Sequence, residues 1–238
     1  MGEPQNLDEL GERIKHLYYR ETNEEMLKNI KVNKEIITYN LTQNEKRLYN
    51  NAWDEYINNS TEKNVDNLIQ NHKLIEGSIF RQYLADFMVT RTIDLAEKEI
   101  NLGKRIIIFC CFDKELYSLQ EHFGDRCVVY NGKMTLKKKD ETLKKFKNDD
   151  SIKVFIGNIQ AASVGLNLNE CSVVIFNNIS FVPSDNDQAC ARVLRLGQTK
   201  DVNIYFQSFN DTYMTRMFEI LDIKNEIINS VITDEKNK

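Results

Sequence analysis

The chain has 238 residues, 41% of them hydrophobic and 29% charged, and its formal net charge is −4. That length suits one or two domains with an adequate core, and the slightly acidic balance excludes a chain that holds nucleic acid by bulk charge alone. No apolar run is long enough for a membrane span, and the N-terminus MGEPQNLDEL lacks the apolar stretch of a secretory signal.

The first 100 residues read as helical and polar. Helices are expected near 7–18, 43–58 and 78–100. Between the first two, KEIITYNLT is a short β-branched run and a strand candidate. INNSTEKNVDN has the composition of a polar loop.

From residue 104 the rhythm changes. RIIIFCCF, RCVVYNG, IKVFIGN, CSVVIFNN and VNIYFQSF are short continuous apolar runs. Each is followed by a helical pattern or a helix-like turn, the last by a long helix over 212–231. Strands buried on both faces and alternating with helices imply an α/β fold, a doubly wound parallel sheet with helices on both faces. The segments CCFDK, NGK, NIQAASVGLN and NNISFVPSDNDQ all follow strands and share one edge of such a sheet. Ligands collect beyond the carboxyl ends of the strands. The chain therefore divides into a helical segment, 1–100, that packs on a lobe, 101–238.

Cys110, Cys111, Cys127, Cys171 and Cys190 contain no C-x-x-C pair, and four of them lie in or beside apolar runs. Buried free thiols are expected. His16, His72 and His122 share no metal-ligand spacing with them, so no metal site is expected. Lys133, Lys137, Lys138, Lys139, Lys144, Lys145 and Lys147 crowd into one stretch. This is a solvated helix face or a phosphate-backbone contact surface.

QACARVLRLGQTKDV, residues 188–202, carries two arginines. On a helix over 187–196, Gln188, Arg192 and Arg195 would share one face, Ala189, Val193 and Leu196 would pack inward, and Gly197 would stop the helix. Neither arginine has an acid one turn away. The stripe is either a solvated face or a pair of guanidinium forks that suits an anion brought from elsewhere, such as a phosphate. No G-x-x-x-x-G-K-[ST] occurs, and no Asp-Glu pair follows an apolar strand, so the chain has no evident means of holding ATP and Mg²⁺ by itself.

The order of motifs resembles the C-terminal RecA-like lobe of superfamily 2 helicases, and among them the Swi/Snf-related ATP-dependent DNA translocases, including the annealing-helicase branch. KRIIIFCCFDKELYSLQEHF is similar to motif IV, NIQAASVGLNL to motif V, and FVPSDNDQACARVLRLGQTKDV to the segment ending in motif VI. In the last, Pro183, Gln188, Arg192, Arg195, Gly197 and Gln198 fall in register. Phe181 and Val182 stand where Trp-Asn is usual, Ala162 and Ser163 where Gly-Gly is common, Lys139 where Arg is usual, and Asn131 where Asp is common.

The resemblance implies an N-terminal RecA-like lobe of the same protein as partner, holding ATP and Mg²⁺ mainly by itself. None is then expected on this chain alone, which would have no ATPase activity by itself. Arg192 and Arg195 become candidate catalytic fingers. Gln188, Gly165 and Asn167 become candidate nucleotide contacts. Lys114, Lys133, Gln160 and Ser163 become candidate contacts to the DNA backbone, without sequence preference. A stand-alone nucleic-acid-binding or regulatory module with the same fold is the alternative. The chain is expected in the cytoplasm of a bacterial or virus-infected cell, or in a eukaryotic nucleus, and not as a secreted or membrane protein.

Overall fold

The computed structural model describes residues 30–59, 74–162, 166–219 and 221–222. The helix expected over 7–18 lies outside the described residues. In chain order the elements are β1 (Val32–Tyr39), α1 (Gln43–Asn59), α2 (Leu74–Asn101), β2 (Ile106–Cys110), α3 (Asp113–Phe123), β3 (Cys127–Tyr130), α4 (Leu136–Asn148), β4 (Val154–Asn158), α5 (Ile159–Ala162), β5 (Val173–Phe176), α6 (Pro183–Cys190) and β6 (Val202–Phe209). Residues 213–219 and 221–222 are also helical.

The strands form one parallel sheet in the order β1-β6-β5-β2-β4-β3. All five apolar runs are strands, and KEIITYNLT supplies most of a sixth. β2, the central strand of the five runs, is buried at every position, as IIIFC requires of a strand covered on both faces.

Alternation along the strands sorts their side chains into two cores. Ile107, Phe109, Phe155, Val174, Phe176 and Ile204 pack under α4 and α6. Ile106, Ile108, Val154, Ile156, Val173 and Ile175 pack under α2 and α3. Burying such a side chain contributes about 1.5–3 kcal/mol, so these two layers hold the sheet.

The residues before 101 contribute to the same body. β1 pairs with β6 along its whole length. Val89 and Ala96 of α2 lie in the second core. Tyr49 of α1 and Leu84 and Met88 of α2 close a third cluster over Phe209 and Met214. α1 starts on a capping box: Glu45 Oε2 accepts from Thr42 N at 2.8 Å, and Thr42 Oγ1 accepts from Glu45 N at 3.3 Å.

One helix differs from its expectation. The sequence pattern places a helix over 187–196, but α6 spans Pro183–Cys190. Arg192 and Arg195 follow it in a series of tight turns, with Arg192 N donating to the Ala189 carbonyl and Arg195 N to the Val193 carbonyl. Leu196, expected to pack inward, is 73% exposed.

Candidate functional site

The chain leaves β2 toward β3 on one side of the sheet and leaves β5 toward β6 on the other. The strand order therefore reverses between β2 and β5, and the crevice at their carboxyl ends is where a doubly wound sheet binds ligands. Two loops form it, residues 111–112 and 177–182.

Arg81 of α2 ties these loops together. Its Nη2 donates to the Ile179 carbonyl at 2.7 Å and lies 3.5 Å from Cys111 Sγ. The guanidinium is 4.5 Å from the centre of the Phe181 ring and 5.3 Å from that of Phe112. A cation over two rings is favourable, by about 0.5–2 kcal/mol for each partly buried contact. Sequence reasoning missed Arg81, because it stands in a long helix outside every motif.

Beneath it runs a buried polar chain. Gln207 Nε2 donates to Thr92 Oγ1 at 2.6 Å, Thr92 Oγ1 donates to Asn177 Oδ1 at 2.6 Å, and Asn177 Nδ2 donates to Glu115 Oε2 at 2.6 Å. Glu115 Oε1 accepts from Phe112 N at 3.0 Å, closing the first turn of α3. Burial pushes the Glu115 carboxyl up to about 7, against the lowering effect of its hydrogen bonds to Asn177 and the backbone. The chain links α2, α3, β5 and β6 below the crevice.

The loop after β5 is fastened to α6. Asn186 Oδ1 accepts from Ser180 N at 2.8 Å, its Nδ2 donates to the Ser180 carbonyl at 2.9 Å, and Ser180 Oγ donates to Asp185 at 2.8 Å. Pro183 opens the helix, where its missing N–H costs nothing. Gln188 is exposed on α6.

Beyond α6 the arginine segment is held by the 166–171 stretch. Leu168 N donates to the Arg192 carbonyl at 3.0 Å. That carbonyl therefore serves a neighbouring segment rather than a further helical turn. Asn169 Nδ2 donates to the Leu196 carbonyl at 3.4 Å. Buried Gln198 donates to the Cys171 carbonyl at 2.8 Å and accepts from Thr199 N and Lys200 N at 3.0 Å each. Gly197 turns with φ +94°, and a Cβ there would lie 2.7 Å from Asn169 Nδ2.

Arg192 is 6% exposed, whereas Arg195 is half-buried. Burial first, and the charge of Arg195 second, lower the Arg192 pKa from its ordinary value. Among the described residues no carboxylate pairs with Arg195. The arrangement can stabilise an incoming anion: a second negative group would offset the repulsion between the two guanidinium ions.

The other candidates divide. Asn167 is exposed beside the arginine segment. Lys114 is paired with Asp86, and Lys133 Nζ lies 2.5 Å from Asp113 Oδ2, a contact that raises the Lys133 pKa. Exposed Gln160 is the second residue of α5, its N–H donating to Asn158 Oδ1 at 3.0 Å, and Asn158 Nδ2 reaches the Cys111 carbonyl at 3.1 Å. Ser163 and Gly165 lie outside the described residues.

Comparison with known proteins points to one kind of domain. A model of the helicase conserved C-terminal domain matches residues 88–197. A probable ATP-dependent helicase of Plasmodium falciparum is 34% identical over 106 residues, which are 43% of this chain and 5% of that protein. The chromatin-remodeling ATPase INO80 of Arabidopsis thaliana is 29% identical over 154 residues, 63% of this chain and 10% of that protein. The SWI2/SNF2 ATPase core of Sulfolobus solfataricus in complex with double-stranded DNA superposes with a TM-score of 0.68 at 20% identity, over 98% of this chain and 53% of that one. Residues 88–197 thus match a helicase C-terminal domain, and the chain is similar to the Swi/Snf-type C-terminal lobe.

Its sheet is the RecA-like fold of that lobe: the isolated C-terminal domain of the Sulfolobus ATPase superposes with a TM-score of 0.64 at 17% identity, covering 85% of this chain and 90% of that domain. The chain spans 5–14% of the length of its curated relatives. The fold thus holds Arg192 and Arg195 against the stretch that carries Asn167, leaves Gln188 on α6, and places Lys114, Lys133 and Gln160 just after β2, β3 and β4, the first and last of them in the opening turns of α3 and α5.

Proposed function

We propose that this chain is the second motor lobe of an ATP-dependent DNA translocase or helicase. Its arginine segment faces a nucleotide held on an N-terminal RecA-like lobe, and the strand-end loops grip the DNA backbone. The observation that carries the reading is the arginine segment itself. Arg192 is buried and anchored through its carbonyl, and Arg195 stands half-buried beside it with no carboxylate partner among the described residues.

The guanidinium donors of the arginine segment suit a phosphate, and in this reading the Mg²⁺ acids belong to the other lobe. ATP, when bound between lobes, supplies the phosphoryl group and the free energy of its transfer. Arg195 places positive charge where the transferring group gathers negative charge, Arg192 holds the backbone of that finger and adds charge behind it, and Gln188 senses closure. Such a finger contributes about 10³–10⁵ in rate, or about 4–7 kcal/mol of barrier.

Lys114 and Lys133 grip DNA through phosphate contacts alone. Their present ion pairs are exposed and therefore weak enough to exchange for phosphates. Gln160 and Ser163 add polar contacts, and Gly165 and Asn167 complete the nucleotide side. Cyclic closing and opening of the lobes would then move the grip along DNA.

The test is phosphate release by the complete protein, with and without duplex DNA, beside this chain alone. The reading expects DNA-stimulated turnover in the complete protein and none in the chain alone. Turnover by the isolated chain that Arg195→Ala abolishes would overturn it.

A further inference from the structure

The sheet ends on the side opposite β1 with β3, which pairs only with β4 among the described strands. Lys153 N donates to the Arg126 carbonyl at 2.9 Å. That bond sets the alternation: Arg126, Val128 and Tyr130 turn their main-chain groups to β4, while Cys127 and Val129 turn theirs outward. The Cys127 N–H is already taken by the Gly124 carbonyl. The Cys127 carbonyl and both main-chain groups of Val129 are left facing away from the sheet.

They do not face a flat surface. A groove of about 520 Å³ runs along this edge between α3 and α4, and Cys127, Val128 and Val129 line it. Tyr117 of α3, 51% exposed, and Met134 give it apolar walls. Lys138 and Lys145, exposed on one face of α4, give it positive charge. Glu141 also lines it, the one acid among the described residues that does. Within α4 six lysines stand against two acids, and one of those acids, Asp140, is paired with Lys144 at 2.6 Å. An open strand edge is a template for another strand.

We propose that this groove docks an extended acidic segment of a partner protein, which adds as a seventh strand beside β3. The strand edge supplies main-chain hydrogen bonds. Every second residue of the segment meets Tyr117 and Met134, and its acids meet Lys138 and Lys145. Charge complementarity chooses an acidic segment over a neutral one, and the four-residue length of β3 limits the pairing to a short stretch. DNA would use the lysines but leave the strand edge and the apolar walls unused. The surface lies at the far edge of β4 from the β2–β5 crevice, so a partner could sit there without blocking the motor cleft.

The probe is a short fluorescent peptide of alternating aspartate and valine, blocked at both ends. Its twin is N-methylated on alternate amides, and each of the two alternating phases is made. Binding is read by anisotropy on the full chain, in low and high salt. The expected result is saturable binding that falls at least about tenfold, a cost of about 1.4 kcal/mol, on N-methylation in one phase only. The Lys138→Glu, Lys145→Glu double variant should weaken it as much, with an unchanged melting temperature, and salt should suppress it. Equal binding of the methylated twins in both phases, or no saturable binding, would overturn the proposal. So would loss of binding in the lysine variant with indifference to methylation and displacement by a short DNA duplex, which would make this a nucleic-acid surface.

Discussion

Arg192 and Arg195 differ in what a substitution would remove. Arg192 is buried, and its carbonyl receives Leu168 N, so truncating it disturbs packing as well as charge. Gln198 beside them is structural. Gln198→Ala should cost about 1–3 kcal/mol, because it strands the buried Cys171 carbonyl and two backbone donors; urea unfolding measures it. Gly197→Ala meets both a positive φ and a close Asn169 side chain, and should cost at least about 1 kcal/mol. Glu115 gives a pH signature. Its folded pKa of about 7 lies above its ordinary value of 4.5, so the folded state keeps a proton that the unfolded state has lost between those values. Stability should therefore fall as pH rises from 4.5 to 7, by up to about 3 kcal/mol, and level off above. A chemical-denaturation series across that window checks the sign. Stability that rises through it would mean that the carboxyl is not held neutral.

At the scale of elements, the sequence was readable where local and tertiary demands agree. IIIFC, CVVY, VFIGN, VVIF and VNIYFQSF are strands because both faces of a parallel sheet are covered, and a continuous apolar run has no other stable place. The α1 start is written as Thr42-x-x-Glu45. The arginine helix misled because its periodicity is real but its hydrogen bonds go elsewhere: the Arg192 carbonyl bonds Leu168 N, and no local pattern announces that. Arg91 joins two elements in the same non-local way. Its Nη2 donates to Glu45 Oε2 at 2.7 Å, its other amine bonds Glu45 Oε1, and its guanidinium lies 5.2 Å from the Phe209 ring. The hydrogen bonds of Arg91 and Thr42 hold the Glu45 pKa low although burial alone would raise it. A double-mutant cycle on Arg91→Ala and Glu45→Ala should return a coupling of about 1–2 kcal/mol, because the pair is mostly shielded from water. This coupling should disappear as pH falls below the carboxylate range.

Across the whole molecule, the sheet order places the crevice and the motifs on one edge. That placement was legible because every motif segment follows a strand. What a local reading could not supply is the cross-linking beneath it: Arg81 between the loops after β2 and β5, and the chain from Gln207 through Thr92 and Asn177 to Glu115. These contacts join residues far apart in sequence and carry no spacing rule. They fix the two sides of the crevice to one core, so in the proposed motor the lobe should move as one body.

The measurement that tests this most directly is DNA-stimulated ATP turnover of the complete protein with Arg195→Ala and Arg192→Ala, at saturating nucleotide and with nucleotide binding measured alongside. A fall in kcat of about 10³-fold or more in Arg195→Ala, with nucleotide affinity changed far less, is the expected result, since the finger acts on the transition state. Turnover equal to the unaltered protein in both variants would contradict the account. The arginine segment would then be a solvated surface on a helicase fold, and the motor assignment would rest on fold alone.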